Sequence, residues 1–162
     1  MNRRSLLACL LSFIGAVLSV SLLLSGCDSD VVAPVDYTAP AAIEYTISGG
    51  FAGIHQGTTI DEQGFCEMVD SRYSVIQHQL TDDHLDSLKA AFKEVNFLKL
   101  KDKYSPPQIV MDGFFYSISY STNRKSKTVT VEDGADFPEG LGRLLQILHE
   151  TNWKILSSQD TS

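Results

Sequence analysis

Apolar and polar residues alternate where regular structure first becomes legible in the chain: Ile43, Tyr45 and Ile47 are separated by Glu44, Thr46 and Ser48. A period of two sets the apolar side chains on one face of an extended segment, so a strand with one buried face is expected. Gly49 and Gly50 end it. A second extended segment is expected over about 52–60, closing at Asp61-Glu62-Gln63-Gly64, whose last glycine marks a turn into a third strand near Phe65 to Asp70. Val75 to Gln79 suit a short fourth. The connections are too short for crossovers, so these strands should form an antiparallel meander.

At Thr81 the period changes. Thr81 is placed to cap a helix whose first turn holds Asp82, Asp83 and Asp86, acids suited to the positive end of the helix dipole. Leu85, Leu88, Phe92 and Val95 recur at intervals of three and four, which predicts one amphipathic helix. Pro106-Pro107 then forbids helix. After Asp112-Gly113, Phe114, Tyr116, Ile118 and Tyr120 share one face of a strand, and Val129 and Val131 mark its hairpin partner. A last helix should begin near Pro138 and carry Leu141, Leu144, Leu145 and Leu148 on one stripe, with Trp153 and Ile155 closing the core behind it. The expected fold class is α+β: an antiparallel sheet of about five to six strands with two helices packed on one face, in the order β-β-β-(β)-α-β-β-α.

The N-terminus has a different character. Arg3 and Arg4 precede an apolar run from Leu6 to Leu24, then Ser25 and Gly26, which is the basic, apolar, small-residue order of a secretory signal. Leu24-Ser25-Gly26-Cys27 resembles the lipobox of bacterial lipoproteins, in which the chain is cut before the cysteine and its thiol is acylated. That resemblance implies a signal peptide over 1–26 and lipidation of Cys27, with the membrane reached through the lipid and the domain held on the extracytoplasmic side of the cell envelope. An uncleaved anchor helix is the competing reading, because the apolar run is long enough to span. Asp28 resembles the residue that retains lipoproteins in the inner membrane of enteric-type bacteria. Residues 27–42 then read as a lipidated cysteine and flexible tether rich in small, acidic and proline residues, 43–157 as the folded domain, and 158–162 as a disordered tail.

Charge and cysteine usage narrow the function classes. The chain has 13 basic and 20 acidic residues, a formal −7; without Arg3 and Arg4 the balance is 11 to 20, or −9. An acidic domain repels nucleic acid, so no nucleic-acid partner is expected. Once Cys9 leaves with the signal and Cys27 carries lipid, Cys66 has no partner within the chain and reads as a small buried hydrophobe.

A search for catalytic chemistry finds no signature. His55, His78, His84 and His149 lie outside any HExxH pattern, so neither a metal nor another cofactor is expected. The neighbouring acids Asp61/Glu62, Asp82/Asp83 and Glu132/Asp133 fit turns or a helix start rather than a facing pair across a cleft. No GxSxG elbow or P-loop occurs, and the chain reads as a non-enzyme.

The stretch SGGFAGI, residues 48–54, stands out, because adjacent glycines permit a turn that ordinary residues cannot make. Phe51 on that turn either tucks into the core or is displayed to a partner. The succession IEYTISGGFAGI, LTDDHLDSLKAAFKEVNFLKL, DGFFYSISY and TVTVEDGADFPEGLGRLL, spanning Ile43 to Leu148, resembles the emfourin group. These are small proteins that inhibit thermolysin-like zinc metalloproteases, with related domains in bacterial lipoproteins. The resemblance implies a protein-binding domain and a metalloprotease partner, and geometry assigns the contact to Gly49, Gly50, Phe51, Ala52 and Gly53. The rival expectation is a non-enzymatic envelope lipoprotein with a structural or adaptor role. A small-ligand carrier is disfavoured, since one sheet of this size should leave little volume beyond its core.

Overall fold

A computed structural model describes Tyr37, residues 41–70 and residues 73–158. The expected signal segment, Cys27, most of the tether and residues 159–162 lie outside the described residues. The strands are β1 (Ala41–Gly49), β2 (Ile54–Ile60), β3 (Phe65–Asp70), β4 (Tyr73–Gln79), β5 (Lys103–Tyr104), β6 (Phe114–Thr122) and β7 (Ser126–Glu132). The helices are α1 (Asp82–Glu94) and α2 (Glu139–Ser157), with a short 3-10 turn at Phe97–Lys99. The fold is α+β, as the periodicities indicated.

The seven strands lie in the order β4-β3-β2-β1-β6-β7-β5. All neighbours are antiparallel except β5, which pairs parallel to β7 through Lys103 and Tyr104. That two-residue strand carries no readable period, so sequence pattern alone does not reveal it. The second strand starts at Ile54 rather than near residue 52, because Gly53 adopts φ +61° and keeps the turn going. The fourth reaches back to Tyr73.

β1 sits at the centre. Ile43, Tyr45 and Ile47 face Ile60, Thr58 and Gln56 on one side and Tyr120, Ile118 and Tyr116 on the other. Among the described residues, helices cover that face alone. Its opposite carries Glu44, Thr46, Ser48, Thr59, Ser117 and Ser119, as the alternation predicts.

Thr81 accepts a hydrogen bond from the His84 N–H and caps α1, whose Leu85, Leu88, Ala91 and Phe92 are buried. Phe92 meets Phe97 and Tyr120 with ring centroids 4.9 and 4.7 Å away, an aromatic cluster that fixes α1 to the sheet. Tyr37 completes it. Although it falls inside the expected tether, Tyr37 is buried, lies 5.7 Å from Tyr120, donates to Asn96 Oδ1 and accepts from the Leu98 N–H.

α2 buries Leu141, Leu144, Leu148, Thr151, Asn152 and Ile155. The helix runs on to Ser157, so Trp153 lies one residue off this stripe, about 100° round the helix, and projects into solvent instead of closing the core. Ile155 does close it. No helix among the described residues is long and apolar enough to cross a membrane.

Phe92→Ala should lower unfolding stability by about 3–5 kcal/mol, because it removes the ring shared by α1, the 3-10 turn and β6. Urea unfolding followed by circular dichroism measures this.

Candidate functional site

Three loops meet at the end of the sheet where β1 finishes. In the β1–β2 turn, Gly49 and Gly50 take φ +108° and +70°. The Gly50 N–H donates to the Gly113 carbonyl at 3.2 Å, tying this turn to the loop before β6. A Cβ on Gly49 would lie 2.4 Å from that carbonyl oxygen, and one on Gly50 2.8 Å from the Phe114 ring. Both positions therefore require glycine on two grounds, conformation and space.

Phe51 follows and is 93% exposed. Of the two readings of this residue, the displayed one is what the structure has. Ala52 and Gly53 are exposed beside it. The five predicted contact residues thus form one protruding turn.

The neighbouring loop adds apolar surface that the sequence analysis did not single out. Ile109 is 93% exposed and Met111 84%, just before Asp112 at φ +56° and Gly113. An apolar triple, Ile109-Val110-Met111, between a double proline and an Asp-Gly turn is a signal that could have identified it. Asp133, on the third loop, holds the arrangement together. Its carboxylate accepts the Phe114 N–H at 2.8 Å and its own N–H donates to the Phe114 carbonyl at 3.0 Å. The Tyr116 hydroxyl also bonds to Asp133, and burial, then the charge of Asp133, raises the Tyr116 pKa.

A cleft opens beside these loops between α2 and the sheet. Its narrow part, about 220 Å³, is bordered by Ile54, Phe114, Tyr116, Asn152 and Trp153 among others. Its wide part, about 660 Å³, lies over Tyr45, Tyr116 and Val131 and runs beneath Gly142, Gln146 and His149. Tyr116 and His149 border both parts. The cleft is an open surface groove along α2 and not an enclosed cavity. Asn152, 3% exposed, accepts from Thr58 Oγ1 at 2.8 Å, but its Nδ2 has no hydrogen-bond partner.

The other polar candidates have local roles. Asp61 accepts from the Gln63 and Phe65 N–H groups in the β2–β3 turn. Glu132 pairs with Lys103 at 2.7 Å. Cys66 is fully buried, and burial, then Asp61, pushes its thiol up to about 12, so it stays protonated. Among the described residues no three His, Cys, Asp or Glu side chains converge as a metal site would require.

His84 is held by α2. Thr151 gives its hydroxyl proton to the Ile147 carbonyl at 2.8 Å, so His84 Nε2 is the donor in its 2.8 Å contact with Thr151 Oγ1. Its Nδ1 then faces the Lys154 ammonium at 3.2 Å. Burial, then the Lys154 charge, lowers the His84 pKa, with Glu150 opposing and His78 adding to the fall.

Gly50→Ala should lose about 1–2 kcal/mol from the backbone conformation, with more from the Phe114 contact, whereas Phe51→Ala should stay within about 0.5 kcal/mol of wild type. Urea titration separates them. His84 supplies a pH test. Its folded pKa lies below the unfolded value of about 6.5, so its contribution is intact above that pH and is lost as pH falls through the folded value. The fall in urea midpoint between about pH 7.5 and about pH 5.5 should be smaller in His84→Gln. No protein-family model matches the chain, and no curated protein matches it either.

Proposed function

We propose that the chain is a lipid-anchored extracytoplasmic domain that binds another protein, and that the partner is a thermolysin-like zinc metalloprotease, which it inhibits. The observation that carries this reading is Phe51, displayed on a turn whose first two glycines, Gly49 and Gly50, leave no room for a side chain. Aromatic side chains dominate interface hot spots, and a turn already held by its neighbours loses little entropy on binding. Ile109 and Met111 extend the apolar surface beside it. Such a turn can enter a protease cleft, where a backbone carbonyl takes the place of the zinc-bound water.

β1 runs from Ala41 to Gly49, so eight steps of about 3.3 Å, roughly 26 Å, separate its start from the turn. An exposed apolar turn of this kind suits a protein partner.

Inhibition of thermolysin by the full-length protein in mild detergent tests the proposal. Stoichiometric inhibition is expected, weakened at least about tenfold by Phe51→Ala. An undigested domain that leaves the protease fully active would remove the inhibitor assignment and favour a non-enzymatic adaptor lipoprotein.

A further inference from the structure

The cleft under α2 has features that the apolar turn does not explain. Its two parts follow α2 from Gly142 to Leu156, about 21 Å at 1.5 Å per residue, which matches about six residues of extended polypeptide. The narrow part is walled by Trp153, 68% exposed, with Phe114 and Ile54, and its volume suits one large apolar side chain. Asn152 borders it with a buried amide nitrogen that lacks an acceptor.

The wide part has a charge preference. Glu132, Asp133 and Glu150 line it, and neither part is lined by lysine or arginine. Lys103 neutralises Glu132, which leaves Asp133 and Glu150 facing the groove. Charge also discriminates among occupants. Residues 28–36 and 159–162 contain acids and no lysine or arginine, and a second copy brings a net −7. All three meet a groove of their own sign.

We infer that this groove binds an extended basic segment of a partner polypeptide, seating one large apolar side chain between Trp153, Phe114 and Ile54 and passing lysine or arginine across Asp133 and Glu150. The inference goes beyond the inhibitor reading and does not rest on it. The turn bearing Phe51 and the groove are adjoining surfaces, and each can be disabled alone.

Trp153 is the only tryptophan in the chain, so its emission reports on the narrow part without a label. The probes are a capped hexapeptide alternating lysine with phenylalanine and leucine, and its counterpart with glutamate in place of lysine. Titrated into the full-length protein in mild detergent, the basic peptide should shift Trp153 emission to shorter wavelength in a saturable way and perturb the side-chain amide resonance of Asn152. The acidic peptide should bind at least about tenfold more weakly. Glu150→Lys changes an exposed side chain and should weaken the basic peptide several-fold while leaving the thermal midpoint unchanged. Phe51→Ala should leave peptide binding intact, even if it abolishes protease inhibition. Equal affinity for the two peptides would overturn the proposal, as would an absence of both spectroscopic responses. Concentration-dependent dimerisation that shields Trp153 and is insensitive to the basic peptide would also overturn it, assigning the groove to a second copy.

Discussion

β1 is hydrogen-bonded along both edges, with nine residues in register against β6 and seven against β2, and the remaining elements take their positions from it. A slip of one residue on either side would turn Ile43, Tyr45 and Ile47 out of the core and bring Glu44, Thr46 and Ser48 into it. The register also brings the strand ends together. Gly49 pairs with both Ile54 and Phe114, so the turn after β1 and the loop before β6 must pack against each other. The glycines are the consequence, because the Gly113 carbonyl and the Phe114 ring occupy the space side chains would need. Phe51 is exposed for the same reason: the chain turns sharply against a neighbour that already fills the inner side.

The helices complete the core unevenly. α1 is fixed through Phe92 to the aromatic cluster of Phe97, Tyr120 and Tyr37, and α2 is held against it by the contact of His84 with Thr151 and by the Arg143–Glu94 ion pair. Thr58 and Asn152 then bond across from β2 to α2. These contacts tie down one side of α2. Its other flank faces Tyr116, Val131 and the acidic loop after β7 across open space. The domain therefore carries an apolar turn and an acidic, aromatic-walled groove side by side.

Much of the fold was legible in the sequence, because local periodicity and burial demand the same thing here. The alternation of Ile43, Tyr45 and Ile47, the capping position of Thr81 and the leucine stripe of α2 are each decided by a residue's own environment relative to its near neighbours. The α+β class and the element order followed from these. The two-residue β5 was not legible, since its pairing with β7 depends on a return of the chain that leaves no periodic mark. Trp153 was misplaced because composition favours a buried tryptophan, whereas the helical phase, once α2 extends to Ser157, sends it outward.

For the candidate site, the sequence by itself determined that Gly49 and Gly50 end β1 in a turn, since tight turns with positive φ are a local property, while the extension of that turn through Gly53 came from the structure. It also established the acidic balance, from which no nucleic-acid partner is expected. Tertiary structure alone decided whether Phe51 was hidden or displayed, because that depends on Gly113 and Phe114, more than sixty residues away in the chain. It decided as well that Ile109 and Met111 stand near that turn, that Cys66 is sealed, and that Asn152 keeps an unused donor beside an open groove. Each of these rests on contacts between segments distant in sequence, and such contacts are set by strand register and helix packing rather than by any residue's local preference.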